Sequence, residues 1–131
     1  MEIALAIILH PNKAAVLISQ RRPDAHLPNL WEFPGGKCLL GETAPNCAVR
    51  EAREETGLDI TILEAWPAIF HIYPERVVTL YPFLCRAASA NAEARASQAV
   101  AWVQPEELDA YDFPEANAPL LRRLKSVTFT G

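Results

Sequence analysis

Apolar residues in this chain come in short blocks whose period changes along its length. Glu2 to Leu9 and Ala14 to Ser19 are brief runs rich in Ile and Val, separated by the turn signal Pro11-Asn12. That pattern predicts two paired strands. The segment QRRPDAHLPNLWEFPGG holds three prolines, two arginines and a closing Gly pair, so it is expected to be loop with a short extended piece at Trp31 to Phe33. The period then changes. From Ala44 to Thr56 small and apolar residues recur at helical spacing, with Thr43 placed to cap the start, Pro45 in the first turn and Gly57 as the stop. Asp59 to Leu63, Ala68 to Tyr73, Arg76 to Cys85 and Ala99 to Val103 follow as expected strands, with Pro74-Glu75 as a turn and Pro82 marking an edge or a bulge. Ala87 to Ala96 lacks large apolar residues and is expected to be an exposed connection. Pro105 to Leu108 suits a short helical turn, and Ala118 to Lys125 suits a terminal helix. Strands alternating with helices predict an α/β fold, a mixed sheet flanked by helices.

Composition narrows the function classes. A chain of 131 residues is long enough for one domain over residues 1–131, and 50% apolar with 21% charged residues is a globular balance. A net charge of -4 offers no basic field for a nucleic-acid backbone, so a polymeric nucleic-acid partner is not expected. A small anionic substrate then needs local cations or bound metal. Cys38, Cys47 and Cys85 form no CxxC pair and have no histidine at ligand spacing, which points away from a zinc site or a disulfide framework. The apolar start MEIALAIILH is too short to span a bilayer and has Glu2 where a signal peptide needs basic charge. The expectation is a soluble, cytoplasmic protein with no membrane partner, a monomer or weak homodimer.

One segment carries chemistry. Glu51, Glu54 and Glu55 fall within roughly a third of the helix circumference, beside a packing stripe of Ala48, Val49, Ala52 and Thr56. Each like-charged pair at this spacing costs on the order of 0.2 to 0.5 kcal/mol in water. A solvated face with Arg50 paired to Glu54 absorbs that cost, and so does a hard-oxygen site for Mg²⁺ or Mn²⁺. The surrounding spacing adds to the second reading: Gly36, five residues, Glu42, seven residues, then Arg50-Glu51-Ala52-Arg53-Glu54-Glu55-Thr56-Gly57-Leu58.

This stretch resembles the Nudix box, the signature of hydrolases acting on nucleoside diphosphates linked to another group. The resemblance implies a Nudix fold, with Glu51, Glu54 and Glu55 binding divalent metal, helped by the Gly35 carbonyl. It also implies that Arg50 and Glu42 hold loop and helix together and orient carboxylates, and that Lys37 faces phosphates. In-line attack of water on a phosphoryl centre needs metal to neutralise charge and a carboxylate to position or deprotonate the water, which these residue types supply.

Three further stretches, RRPDAHLPNLWEFPGGK, YPERVVTLYPFLC and WVQPEELDAYDFPEAN, resemble the MutT subgroup, enzymes that clear oxidised guanine nucleotides. The resemblance implies that Asn117 reads the base, Arg21 contacts substrate and Phe33 lines the base pocket, with Tyr73 and Tyr81 as weaker candidates for its wall. Oxidised guanine offers O6 as acceptor and a protonated N7 as donor, a pair that one Asn amide matches; ordinary guanine presents two acceptors. Asn117 also precedes Ala118-Pro119 and is placed to cap the last helix. His26 is a loop histidine with no partner identifiable from sequence. The subgroup has an acid before the tryptophan of the late strand, where this chain has Ala101 before Trp102; Gln98 and Glu93 are the nearest substitutes. A box glutamate is the other candidate for the base. Leu39 replaces a usual acid in the unconstrained spacer.

The expected activity is metal-dependent hydrolysis of 8-oxo-dGTP to 8-oxo-dGMP and pyrophosphate. The alternatives are another Nudix nucleotide substrate (a pyrimidine triphosphate, a dinucleoside polyphosphate or ADP-ribose) or a nucleotide-binding module without turnover.

Overall fold

A computed structural model of the chain describes residues 1–127; residues 128–131 of the expected domain lie outside the described part. Eight strands and two α-helices follow in the order β1 (Glu2–Leu9), β2 (Val16–Gln20), β3 (Trp31–Glu32), β4 (Gly35–Lys37), α1 (Ala44–Thr56), β5 (Ile60–Ala65), β6 (Ile69–Tyr73), β7 (Arg76–Ala87), β8 (Ala99–Val103) and α2 (Ala118–Ser126), with 3-10 turns at Pro105–Ala110 and Glu115–Asn117. The sheet is mixed, as the strand and helix pattern predicts. β1 runs parallel to β7, from Glu2 opposite Thr79 to Leu9 opposite Arg86, and every other pairing is antiparallel. The order β3-β2-β1-β7-β5 is extended by β4 on β1, β6 on β7 and β8 on β2.

β1 shows why the sheet holds helices on both faces. Its odd residues Leu5, Ile7 and Leu9 join a cluster with Phe33, Val78, Leu80, Leu120 and Leu124, on the α2 side. Its even residues Ala4, Ala6 and Ile8 join Cys47, Ala48, Ala52 and Leu58, on the α1 side. A period of two sorts the side chains, and the small ones on the α1 face let that helix lie close against the backbone. Burial of Leu120 and Leu124 holds α2, each contributing about 2 kcal/mol. In α1 the packed residues are Cys47, Ala48, Ala52 and Thr56. Cys47 therefore takes the place expected for Val49, which is only half-buried.

The ends of α1 are built as the sequence predicts. Thr43 Oγ1 accepts from the Asn46 N–H at 3.3 Å, and Gly57 sits at φ 75° with its N–H on the Arg53 carbonyl. Two expectations need correction. Gly35–Lys37 is a strand, β4, because its backbone pairs with Ile3 to Leu5; the glycine pair had read as loop. β7 is not an edge strand at Pro82. It pairs on both sides, and Pro82 falls where its outer partner changes from β6, ending at Leu80, to β5, starting at Phe83. The Pro82 carbonyl faces that break, accepting from the Trp66 N–H at 2.9 Å, so the absent proline N–H costs no ladder bond there.

Candidate active site

The acidic face of α1 is organised by one cation. Arg50 donates from Nε to Glu42 at 2.7 Å and from Nη2 to the same carboxylate at 2.9 Å. Its Nη1 reaches Glu51 at 2.8 Å and Glu54 at 3.1 Å, and Nη2 also reaches the Lys37 carbonyl at 3.1 Å. A planar guanidinium with five donors can hold a loop, a strand end and two helix carboxylates together, which an ammonium cannot match. The Leu39 N–H adds a bond to Glu42 at 3.0 Å, while the Leu39 side chain is exposed. Arg50, and then that N–H, bring the Glu42 carboxyl down to about 2. The hydrogen bond with Glu42 in turn raises Arg50 above its ordinary value.

Glu55 lies apart from this hub. It accepts from the Gly35 N–H at 3.1 Å. Burial pushes its carboxyl up to about 7; the Gly35 N–H pulls the other way, and the charges of Glu51, Glu32 and Glu54 push it further up. Beside it, a β-carbon on Gly36 would stand 2.5 Å from Glu51 Oε2, so glycine there makes room for the carboxylate.

Gly35, Gly36 and Glu55 border a cavity of about 360 Å³. Leu5, Phe33, Val78 and Leu80 line its apolar part, and Arg21, Glu32, Arg76 and Asn117 are among its polar groups, with His26, His71 and Tyr73 also on its wall. Arg21 is fixed from two sides, Nε to the His26 carbonyl at 2.6 Å and Nη1 to Glu32 at 2.8 Å. Phe33 is 2% exposed and packs against Phe113 with centroids 5.4 Å apart. Asn117 is buried and borders the cavity at the start of α2, yet its side chain makes no capping hydrogen bond. The capping role open to it in the sequence is therefore not the one it plays.

The cavity thus brings together Gly35, Glu55, Arg21, Phe33 and Asn117, with Glu51, Glu54, Arg50 and Glu42 in the adjoining hub. Lys37 is exposed at the end of β4 and contributes its carbonyl. Tyr73 reaches the cavity, but Tyr81 does not: its hydroxyl donates to Glu2 at 3.3 Å. Neither substitute for the missing acid is brought in. Glu93 pairs with Arg95 at 3.2 Å, and the Gln98 amide is bonded to the Arg21 carbonyl and to Asn29. Ala101 lies opposite Ile18 in the sheet, packed on the core. Glu32 and Arg76 are cavity residues that the sequence reading missed. The signal for Glu32 was a lone acid between Trp31 and Phe33 in an otherwise apolar extended piece, and for Arg76 a cation at a turn.

Among the described residues, no three His, Cys, Asp or Glu side chains stand arranged to hold a metal ion. Glu51 and Glu54 are both bonded to Arg50. The donor set still fits a hard divalent cation. Glu51, Glu54 and Glu55 share one rigid helix face, the charges of Glu51 and Glu54 adding after burial to the raising of the Glu55 carboxyl, and Gly36 leaves room for Glu51 to reorient.

The NUDIX domain family matches residues 4–123. The chain is 34% identical to 8-oxo-dGTP diphosphatase of Escherichia coli over 125 residues, 95% of this chain and 96% of that protein. It is 32% identical to CTP pyrophosphohydrolase of the same organism over 121 residues, 92% of this chain and 88% of that one. A solved structure from a study of MutT from Aliivibrio salmonicida and Vibrio cholerae superposes with a TM-score of 0.80 at 28% identity, covering 97% of both chains. No helix among the described residues is long and apolar enough to cross a membrane. Nudix hydrolases generally use divalent metal ions. With its box folded into one arginine-centred loop and helix, and the family matching nearly the whole chain, the protein belongs to the NUDIX family and is a MutT-like Nudix hydrolase.

Proposed function

We propose that this hydrolase, acting as one domain, cleaves 8-oxo-dGTP to 8-oxo-dGMP and pyrophosphate. The observation that carries the substrate is Asn117: a buried amide bordering the cavity, not used as a helix cap. Its C=O and NH₂ match the protonated N7 and the O6 of the oxidised base, and the ordinary base leaves the amide oxygen facing a lone pair. Phe33 and its apolar neighbours supply the wall for the ring. Arg21 on the cavity wall, and Lys37 exposed at the end of β4, supply positive charge for the phosphates.

Glu51, Glu54 and Glu55, with the Gly35 carbonyl, are the residues that would hold Mg²⁺ or Mn²⁺. Such an ion, when bound, neutralises charge on the phosphates and lowers the pKa of an attacking water. Arg50 and Glu42 keep loop and helix in register, so that the carboxylates start from one fixed geometry. With Gln98 and Glu93 engaged elsewhere, the proton of the attacking water falls to a box carboxylate, Glu51 or Glu54.

A panel of oxidised and ordinary nucleoside triphosphates, assayed with Mg²⁺ or Mn²⁺ and with products identified, tests this reading. Turnover of 8-oxo-dGTP to monophosphate and pyrophosphate is expected to exceed that of dGTP. Asn117→Ala is expected to narrow that preference by about 10- to 100-fold, the range for an unpaired buried polar group. An equal fall for both nucleotides would sink the base-reading role. The similarity to a CTP pyrophosphohydrolase supports a pyrimidine triphosphate as the second reading. Binding of nucleotides without release of any product would make the protein a non-catalytic module.

A further inference from the structure

We propose that Gln98 is a positioning residue for substrate: it locks the Arg21 loop at the cavity and ties that loop to the catalytic end of α1. The proposal rests on the reading of the cavity as a nucleotide site. Gln98 ends the alanine-rich connection before β8. Its side-chain NH₂ donates to the Arg21 carbonyl at 2.6 Å and to Asn29 Oδ1 at 2.8 Å, and its backbone N–H donates to the Gln20 carbonyl at 3.0 Å. One residue therefore holds both legs of the loop from Arg21 to Leu30.

That loop needs holding. It contains two non-glycine residues in the left-handed region, Leu27 at φ 52° and Asn29 at φ 64°. Such a conformation is unfavourable for a residue with a β-carbon, less so for Asn, and persists only where its surroundings enforce it. The reward is the placement of Arg21, whose Nε and Nη1 are already directed by the His26 carbonyl and Glu32. A guanidinium has further N–H groups beyond those two bonds, and Arg21 borders the cavity, so they remain for a ligand oxygen.

The other end of the connection grips α1. The Glu93 N–H donates to the Thr56 carbonyl at 2.9 Å, the Arg95 N–H to the Glu55 carbonyl at 3.0 Å, and Arg95 Nη1 to the Arg53 carbonyl at 3.4 Å. The first two bonds satisfy carbonyls that a helix end leaves open, and the third adds to the Gly57 N–H already on the Arg53 carbonyl. What the composition marks as an exposed linker is a strap from Glu55 to Arg21, joining the two sides of the site. Glutamine suits its end because a primary amide offers two N–H groups to two acceptors. Glutamate or methionine of similar length offers none.

The test uses Gln98→Met and Gln98→Glu in the full chain. Loss of these partly solvated bonds is expected to raise KM for the triphosphate about 3- to 10-fold, with kcat changed less than twofold. Mn²⁺ affinity without nucleotide is expected to stay unchanged. The Arg21 Nε–H resonance in ¹⁵N NMR, protected in the wild type by His26, is expected to shift and exchange faster. Asn29→Ala is expected to raise KM too, through the lost bond and added strain at φ 64°, and the double variant to fall short of additivity, because the Gln98–Asn29 bond is lost in both single variants. Unchanged KM with an unchanged Arg21 resonance would overturn the proposal. So would equal losses in kcat and Mn²⁺ affinity, which mark Gln98 as a general support of the fold. If the wild type hydrolyses no nucleotide, the functional reading fails separately, and the Arg21 resonance still decides the role of Gln98.

Discussion

The two sides of the site are built on opposite principles. On the α1 side Arg50, Glu42, Glu51 and Glu54 satisfy one another, and the Lys37 carbonyl and the Leu39 N–H complete the set. On the cavity side Asn117 is buried without capping its helix, Arg21 keeps spare donors, and Glu55 and Glu32 are both pushed toward their protonated forms by burial first. The first side is a closed network that fixes geometry. The second holds polar capacity in reserve, open to water and to the nucleotide proposed for it. One helix thus carries carboxylates held in a fixed starting geometry by Arg50 and, beside them, a cavity whose polar groups are less fully paired.

The largest break in that comparison comes from Arg50→Ala. It releases three carboxylates at once, and misplacement of reacting groups by about 1 Å costs on the order of 100-fold in rate, so kcat at saturating metal is expected to fall at least that far. Arg50→Lys is expected to recover little, since a point charge cannot bridge Glu42, Glu51 and Glu54 together. Recovery to near wild type would show that the hub works by charge alone.

Gly35 and Gly36 separate the two sides more finely. An alanine β-carbon at Gly35 would press on the Ala4 carbonyl and Leu5, both in β1, whereas at Gly36 its nearest neighbours are the carboxylate atoms of Glu51. Gly35→Ala is therefore expected to destabilise the fold by about 1–3 kcal/mol, as overpacking against backbone does. Gly36→Ala is expected to keep the fold and lose roughly 10-fold in kcat, because only the carboxylate has to move. Chemical unfolding and steady-state rates distinguish the two, and the reverse pattern would contradict the geometry.

Protons give a smaller, signed test. Glu55 stands at about 7 in the folded protein against an ordinary 4.5, so the folded state binds this proton more tightly than the unfolded state does. Its contribution to stability is present below about 4.5 and lost as pH rises through 7. Glu42 runs the other way: lowered to about 2, it contributes above 4.5 and loses that contribution as pH falls toward 2. In metal-free protein the difference in unfolding free energy between wild type and Glu55→Gln is expected to shift against the wild type between pH 5 and 7.5. Mn²⁺ affinity is expected to weaken about tenfold per pH unit below 7, because the ion displaces that proton. A flat profile would mean that Glu55 is ionised throughout.

The smallest expected effect is Thr43→Ala, which removes the cap of α1 through a bond of 3.3 Å. It is expected to cost about 0.5–1 kcal/mol of stability with little change in rate. A large rate effect would show that the helix start, and not only Arg50, sets the geometry of the carboxylates.

What the chain's order of residues determined is whatever depends on neighbours within a turn or two. Helix α1, its Thr43 and Gly57 ends, the acidic face and the spacing from Gly36 to Leu58 are consecutive, so helical period and capping chemistry dictate them directly. The tertiary structure decided the rest. Gly35–Lys37 became a strand because β1 was there to pair with it, and Pro82 entered a central strand because its partner changes beside it. Arg21, Glu32 and Asn117 meet at the cavity from separate segments, and Gln98 reaches the Arg21 carbonyl from another; these contacts depend on the register of β2, β3 and β8 and on where α2 docks. No local spacing encodes that register. It follows from which faces are buried, and a shift of one residue would turn every side chain of a strand to the other face.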